Sequence, residues 1–417
     1  MRSGSIGRDV GERRGPSAVI QAQTVCAVPT RREPVTVIGA GPAGLACAIV
    51  LARAGQRVIV HERRRRVGAR FHGDFQGLES WSDDIDVLDE LASAGIRPSF
   101  EHHAISHVTA FDGRDARHEI RAEKPLYYLV RRGSGTDTLD QALLEQAQAS
   151  GVEVRLSSPL KSAPGLAVVA TGPVLANIMA VGYLFETAMP DGQWACFSDR
   201  LAPDGYAYLL VQGGRGTVAT CLFREFTRND EFLARTIAFF TEHAGLDMRT
   251  ARPFGGVGNY GPPCRGEHVG RLLVGEHAGF QDALAGFGMR YALRSGILAA
   301  RSLLEGSDYD SLWRHSLLPA IRQSIGNRLL YAKAGDRGRR AMFRRMAVGD
   351  ARPMLARLYS PSLLGRILYP FARRHGRIPQ HDPDCCDDAC TCVRCLCQRH
   401  VTSGVVEPQL KTRPPTS

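Results

Sequence analysis

The chain has 417 residues, with 53 Lys and Arg against 42 Asp and Glu, a formal net charge of +11 and 44% hydrophobic residues. That length can bury a substantial core and hold two subdomains, and the composition excludes fibrous and low-complexity classes. Six of the 11 cysteines fall within Cys385–Cys397 and the rest are scattered, which excludes a secreted disulfide framework and fits a reducing, cytoplasmic compartment.

Met1–Pro34 carries arginines but no apolar run of the kind a secretory signal needs, so residues 1–34 are expected to be a disordered leader or the product of a start codon called too early. The chain then changes character. Val35–Ile38 is a short β-rich apolar run. Gly39, Ala40, Gly41, Pro42, Ala43 and Gly44 form a G-x-G-x-x-G turn, and Ala43–Ala54 has helical character with Gly55 as its stop. Arg57–His61 alternates into a second strand closed by Glu62. Each part has a mechanical job in a dinucleotide site. Gly39 permits the tight turn, Gly41 admits a pyrophosphate close to the backbone, and Gly44 lets the helix approach the sheet. The helix N-terminus offers unpaired N–H groups and a positive dipole end to the phosphates. Glu62 sits where an acid accepts hydrogen bonds from the adenosine ribose, and it would repel a 2′-phosphate, so FAD or NAD is favoured over NADP. A second match, Gly256-Val257-Gly258-Asn259-Tyr260-Gly261, runs into Pro262-Pro263, so no helix follows it.

Further along, Tyr127–Val130 predicts a strand, Thr136–Ser150 a helix stopped by Gly151, and Val152–Leu156 and Leu166–Thr171 two more strands. A β-rich region follows, with Tyr206–Gln212 and Thr217–Phe223, then a helix over Asp230–Ala244. The chain returns to strand at Leu272–Val274. Gly275-Glu276 stands at that strand's C-terminal end, and Gly286-Phe287-Gly288 opens a helix from Met289 to Leu304.

The order Gly275, Gly279, Gly286, Gly288, then Ala292-Leu-Arg-Ser-Gly296 resembles the flavin-dependent oxidoreductases of the p-hydroxybenzoate hydroxylase superfamily, and within them most the geranylgeranyl reductase family. Leu129-Val130-Arg131 and Val168-Val169-Ala170-Thr171-Gly172 support the likeness, which covers Val35–Glu305. It implies an α/β fold: a Rossmann-like FAD-binding domain in three layers with a parallel sheet, an inserted strand-rich substrate domain, and C-terminal helices. The expected division is 35–98, 125–175 and 265–305 for the FAD-binding domain and 99–124 and 176–264 for the substrate domain. Residues 306–378 form a basic helical region, and 379–417 a Cys-rich, disordered tail. The cofactor-binding residues implied are Gly39, Gly41, Pro42, Ala43, Gly44, Glu62, Arg63, Arg131, Gly275, Glu276, Gly286 and Gly288. Glu276 stands where the family has an Asp bonded to a ribityl hydroxyl, and is one methylene longer.

With no second complete strand–glycine–helix unit, the flavin would be reduced by a visiting NAD(P)H or by an electron-donor protein. The substrate would be an apolar small molecule of isoprenoid type, taking hydride from the flavin. Phe71, His72, Phe75, Trp81, Tyr260, Cys264, His277, Phe280, Gln281 and Phe287 are candidates to line its site, with His277 and Tyr260 as catalytic candidates. Equally, His277 can be a loop residue facing the dinucleotide, and any single aromatic can be core packing. Two departures from the family pattern keep other readings open. Gly205-Tyr-Ala-Tyr-Leu-Leu-Val211 lacks the family's Phe-Pro, and no Cys-Gly occurs in Arg65–Trp81. A flavin monooxygenase on the same scaffold is one alternative. A flavin-fold electron carrier or metal-binding redox partner without its own substrate is another.

Between Arg322 and Arg377 stand 14 Arg and Lys against Asp336 and Asp350 alone, interleaved with Leu, Ile, Phe and Tyr. This predicts either a peripheral contact with an anionic membrane surface or ordinary helices with a basic solvent face. Nucleic acid is not an expected partner, since no reader motif accompanies the charge. Cys390, Cys392, Cys395 and Cys397 are a thiolate set suited to Zn, Cu(I) or an iron–sulfur cluster, with redox thiols or a plain tail as alternatives.

Overall fold

The computed structural model describes residues 33–163, 165–262, 265–375 and 393–402, apart from the side chains of 373–375, 394 and 395. The strand Val35–Ile38 lies at the centre of a six-stranded sheet. The order across it is Glu267–His268, Arg271–Leu273, Ala167–Val169, Val35–Ile38, Val58–His61, Glu153–Arg155. Every pairing in it is parallel except the outermost hairpin, Glu267–His268 with Arg271–Leu273. Such strands are covered on both faces, so they read as short apolar runs rather than as alternations. Val37 and Val60 are accordingly fully buried.

Helix Pro42–Arg53 packs on this sheet beside helix Met289–Glu305, which comes from the far end of the sequence. The two approach so closely that a Cβ on Gly296 would stand 2.1 Å from the carbonyl oxygen of Ala43. The third helix of the layer runs over Leu139–Ala149, starting three residues after the pattern predicts. Thr138 sets that start. Its hydroxyl accepts the Gln141 N–H and donates to the carbonyls of Gly133 and Gly135, which holds Thr138 itself outside the helix.

The strand-rich part is a seven-stranded sheet. Its order is Arg249–Gly258, Ile178–Glu186, Arg215–Leu222, Tyr206–Gln212, Gly192–Cys196, His107–Phe111, Arg117–Arg121. The pairings are antiparallel except for the parallel join of Gly192–Cys196 to His107–Phe111. Period-2 alternation separates its faces. Ala207, Leu209 and Val211 pack with Phe239 and Phe240 of helix Asn229–Ala244, whereas Tyr206, Tyr208 and Leu210 face a cleft. A three-stranded sheet, Phe75–Glu79, Tyr127–Arg131 and His102–Ile105, completes the strands. Residues 99–124 thus contribute strands to two sheets. The chain changes sheets at Ser106, between His102–Ile105 and His107–Phe111.

The C-terminal helices are Tyr309–Ser316, Leu318–Met346, Arg352–Tyr359 and Leu363–His375. The long one leaves helical geometry at Gly335, with φ 55° and ψ −169°. Its arginines are not simply a solvent face. Arg339 is 1% exposed and donates to Asp199 at 2.7 Å, and Arg340 donates to Asp112 at 3.0 Å. The tail is also not irregular throughout. Val393–Thr402 is a helix, and Val393, Leu396 and Cys397, at helical spacing, pack with Met179 and Val181 of the large sheet. That apolar stripe holds the segment in place.

Candidate functional site

A single cleft of about 1010 Å³ runs from Gly39–Ala43 and Glu62, past Gly275–Glu276 and Gly286–Gly288, into a chamber between the large sheet and the long C-terminal helix. The βαβ unit shapes its polar end. Gly39 has φ +105°, and a Cβ there would stand 2.4 Å from the Ala170 carbonyl oxygen. On Gly44 a Cβ would stand 2.1 Å from the Gly39 carbonyl oxygen. On Gly41 it would meet nothing within 4 Å, because that position opens into the cleft. So the first and third glycines serve packing, while the middle one leaves room for a ligand against the helix N-terminus. Glu62 is fixed by backbone donors. Its carboxylate accepts from Ala40 N–H at 3.0 Å and Arg64 N–H at 2.9 Å, and it lines the cleft beside Arg63.

Glu276 also lines the cleft, but its carboxylate is turned onto Arg70, at 2.5 Å. Arg70 donates as well to the Val257 carbonyl and lies over the Phe71 ring. Gly275 is held by the Ser295 hydroxyl, which accepts its N–H at 2.9 Å. Beyond it, Asp282 organises the turn that carries Gly286-Phe287-Gly288. Its carboxylate accepts from the N–H groups of Leu284 and Ala285 and from the Tyr359 hydroxyl at 3.1 Å. Burial holds that carboxyl above its usual range, against the pull of those three donors. Gly286 takes a positive φ of 79°, and Gly288 caps helix Met289–Glu305. The Gln281 amide donates to the Gly286 carbonyl while its buried Oε1 has no partner.

The chamber is apolar. Trp81, Phe197, Tyr208, Phe254, Met342 and Phe343 are among its walls. Trp81 and Phe287 meet edge-to-face at 4.7 Å, and Phe197 meets Phe343 at 4.4 Å. Tyr206 donates its hydroxyl to the Ala285 carbonyl at 2.7 Å, tying the large sheet to the Gly286 loop.

The structure brings most of the sequence-derived residues to this cleft: Gly39, Gly41, Pro42, Ala43, Glu62, Arg63, Gly275, Glu276, His277, Gly286 and Gly288. Gly44 lies behind it, against Gly39. Arg131 is elsewhere, donating to Glu101 at 2.9 Å. In an extended segment the next residue points the other way, and Arg132 is the one that lines the cleft, bound through two nitrogens to buried Asp140 at 2.8 and 2.9 Å. Tyr260 is not a wall residue. Asn177 bonds both its backbone groups and its ring packs near Phe223. His277 lies at the nucleotide end, its Nδ1 2.8 Å from the Thr171 hydroxyl, and burial lowers its pKa. Cys264, Cys390 and Cys392 and the side chain of Cys395 lie outside the described residues. Cys397 is buried in the apolar cluster under the large sheet, and among the described residues no group of three His, Cys, Asp or Glu could hold a metal.

Comparisons with known proteins agree with this geometry. Residues 32–164 match the family model of an FAD binding domain. A putative oxidoreductase from Escherichia coli, UacF, is 35% identical over 129 residues, 31% of this chain, and the chain spans only 19% of that protein's length. Digeranylgeranylglycerophospholipid reductase 1 of Methanopyrus kandleri is 24% identical over 314 residues, covering 66% of this chain and 81% of the relative. Among solved structures, a geranylgeranyl bacteriochlorophyll reductase-like protein of Thermoplasma acidophilum superposes with a TM-score of 0.62 at 18% identity, over 82% of this chain and 98% of that one. The flavin-dependent brominase Bmp2 follows the same fold with a TM-score of 0.54 at 15% identity, over 82% and 97%.

Proposed function

We propose that this chain, an FAD-dependent oxidoreductase with a geranylgeranyl reductase-like fold, reduces a carbon–carbon double bond of an apolar, isoprenoid-type substrate by hydride transfer to one carbon, with a solvent-derived proton added to the other. The observation that carries the reading is the continuity of the cleft: a phosphate-ready glycine turn at one end, an aromatic chamber at the other, and the Gly286 loop between them. The residues present fit FAD. The open space at Gly41 and the helix N-terminus would hold the pyrophosphate, and Glu62, with both oxygens already oriented by backbone N–H groups, would take the ribose hydroxyls. Arg70 and Glu276 would flank the ribityl chain. When bound, FAD supplies a two-electron carrier. The unpaired first-turn N–H groups of helix Met289–Glu305 favour negative charge beside Gly288. The chamber walls would shield the substrate from bulk water and orient it by shape, and NAD(P)H or a protein donor would supply the electrons.

Anaerobic mixing of the reduced FAD-loaded protein with prenyl lipids tests this. Flavin reoxidation, with a product heavier by one H₂, is expected. Reoxidation that needs O₂ and adds oxygen to the substrate would establish a monooxygenase instead. Flavin that cycles only with a protein partner would make the chain an electron carrier.

A further inference from the structure

Helix Leu363–His375 has two apolar faces, and the fold uses one of them. Gly365 and Leu368 meet Gly326 of the long C-terminal helix, Gly365 also meets Gln323, and Ala372 is buried. Tyr369 lies under the Arg322 guanidinium. Positions 365, 368, 369 and 372 are one helical stripe. On the opposite stripe Leu363 is 76% exposed, Leu364 55% and Ile367 63%. Three large apolar side chains on one outward face form a patch that a surface helix would ordinarily fill with polar residues.

The surrounding charge names the occupant. Residues 351–377 contain six arginines and no Asp or Glu, and Arg357 and Arg366 are exposed. A second copy of the chain would bring like charge against like. An anionic surface with an apolar interior satisfies both features. No helix among the described residues is long and apolar enough to span a membrane, so the helix would lie in the headgroup boundary. We propose that Leu363–His375 docks the protein on an anionic phospholipid bilayer, with Leu363, Leu364 and Ile367 in the acyl boundary and Arg357 and Arg366 on the phosphates. The cleft comes to the surface close by. Leu330, one turn after Gly326 on the long helix, both lines the cleft and is 42% exposed. A lipid substrate, on the function proposed above, would therefore have a short path from bilayer to chamber.

Flotation of the full-length, FAD-loaded protein with vesicles tests the docking without any turnover, so its failure is separable from failure of the substrate reading. Binding is expected to phosphatidylcholine vesicles containing phosphatidylglycerol. It should be at least tenfold weaker on pure phosphatidylcholine, and weaker again at high salt. The double variant Leu364→Glu with Ile367→Glu should lose binding at least tenfold while keeping its flavin content and circular dichroism. Lack of binding by the wild type, or equal binding by the folded double variant, would overturn the proposal. So would a dimer in solution that the double variant dissociates, or salt-sensitive capture by an acidic protein in place of vesicles. Should the double variant misfold, Ile367→Ser alone, with the same readouts, carries the test.

Discussion

At the nucleotide end of the cleft, the geometry comes from backbone. Two missing Cβ atoms at Gly39 and Gly44, an open position at Gly41 and a carboxylate pinned by two N–H groups all fall within 28 residues. At the chamber end, the walls are side chains drawn from two sheets and from the C-terminal helices, far apart in sequence: Phe75 from one sheet with Trp81 just after its strand, Tyr206 and Tyr208 from another, Phe343 and Tyr359 from the helices. A backbone site tolerates almost no change at a few positions. A side-chain chamber tolerates many changes that keep its volume, so one scaffold can keep its cofactor while its substrate varies.

The largest expected effect breaks the first region in two ways. In Gly44→Val the added carbon begins 2.1 Å from the Gly39 carbonyl oxygen, so the helix must leave the sheet. The cost should be on the order of 3 kcal/mol or more, with loss of all flavin. In Gly41→Val the backbone is extended, with φ −80° and ψ 177°, and the space is open. That variant should keep its unfolding midpoint and still lose FAD. Thermal unfolding of the apoprotein with flavin content on the same samples separates the two. Equal destabilisation by both would mean that Gly41 serves packing and not a ligand.

The same contrast explains what could be read before the structure. Strand, glycine turn, helix and acid are adjacent in sequence, so Val35–Glu62 announces itself, and Tyr206–Gln212 matches its strand residue for residue. The Gly286 loop was legible for the same reason, as a strand–loop–helix unit. The Arg132–Asp140 pair was not. Arg131 and Arg132 are chemically alike, and only the sheet register decides which faces inward. Nor was the roof of the chamber, because Arg328 to Met346 reads as a basic helix until its arginines are seen on Asp199, Asp112 and the Leu284 carbonyl. The tail helix Val393–Thr402 was hidden by its cysteines. Their density drew attention to metal chemistry, while Val393, Leu396 and Cys397 form an ordinary apolar stripe.

Next in size is a change confined to the chamber. Ala180 lines it from near the start of the strand Ile178–Glu186. Ala180→Phe should fill part of the volume and lower turnover of bulky apolar substrates roughly ten- to a hundredfold, the equivalent of about 1–3 kcal/mol of overpacking. FAD content should not change. Loss of flavin from this variant would show that the two regions are not independent.

A smaller effect is expected where the regions meet. Glu276→Asp shortens the side chain and breaks its contact with Arg70. Both groups are partly exposed, so the pair itself contributes no more than about 1 kcal/mol. If Glu276 faces the ribityl chain when FAD is bound, the shorter acid should bind FAD within about fivefold of wild type, while Glu276→Ala should bind at least about tenfold more weakly. Fluorescence quenching of FAD on titration reads both. Equal affinity for all three proteins would remove Glu276 from the cofactor site.

The smallest expected effect concerns His277, which reports on burial at the nucleotide end. Burial depresses its pKa, so the folded chain resists a proton that the unfolded chain accepts. Stability should therefore fall as pH drops below the ordinary histidine value of about 6.5, until the depressed folded pKa is passed. Above about 6.5 the group is neutral in both states and contributes no slope. Gln in its place cannot take up the proton, so in His277→Gln the decline over that window should be shallower by a few tenths of a kcal/mol. The chain has 13 histidines, so only the difference between the two proteins is informative. Bound FAD should enlarge that difference if the dinucleotide covers His277. Should the flavin leave the difference unchanged, the histidine does not face the cofactor, and its bond to Thr171 is its whole role.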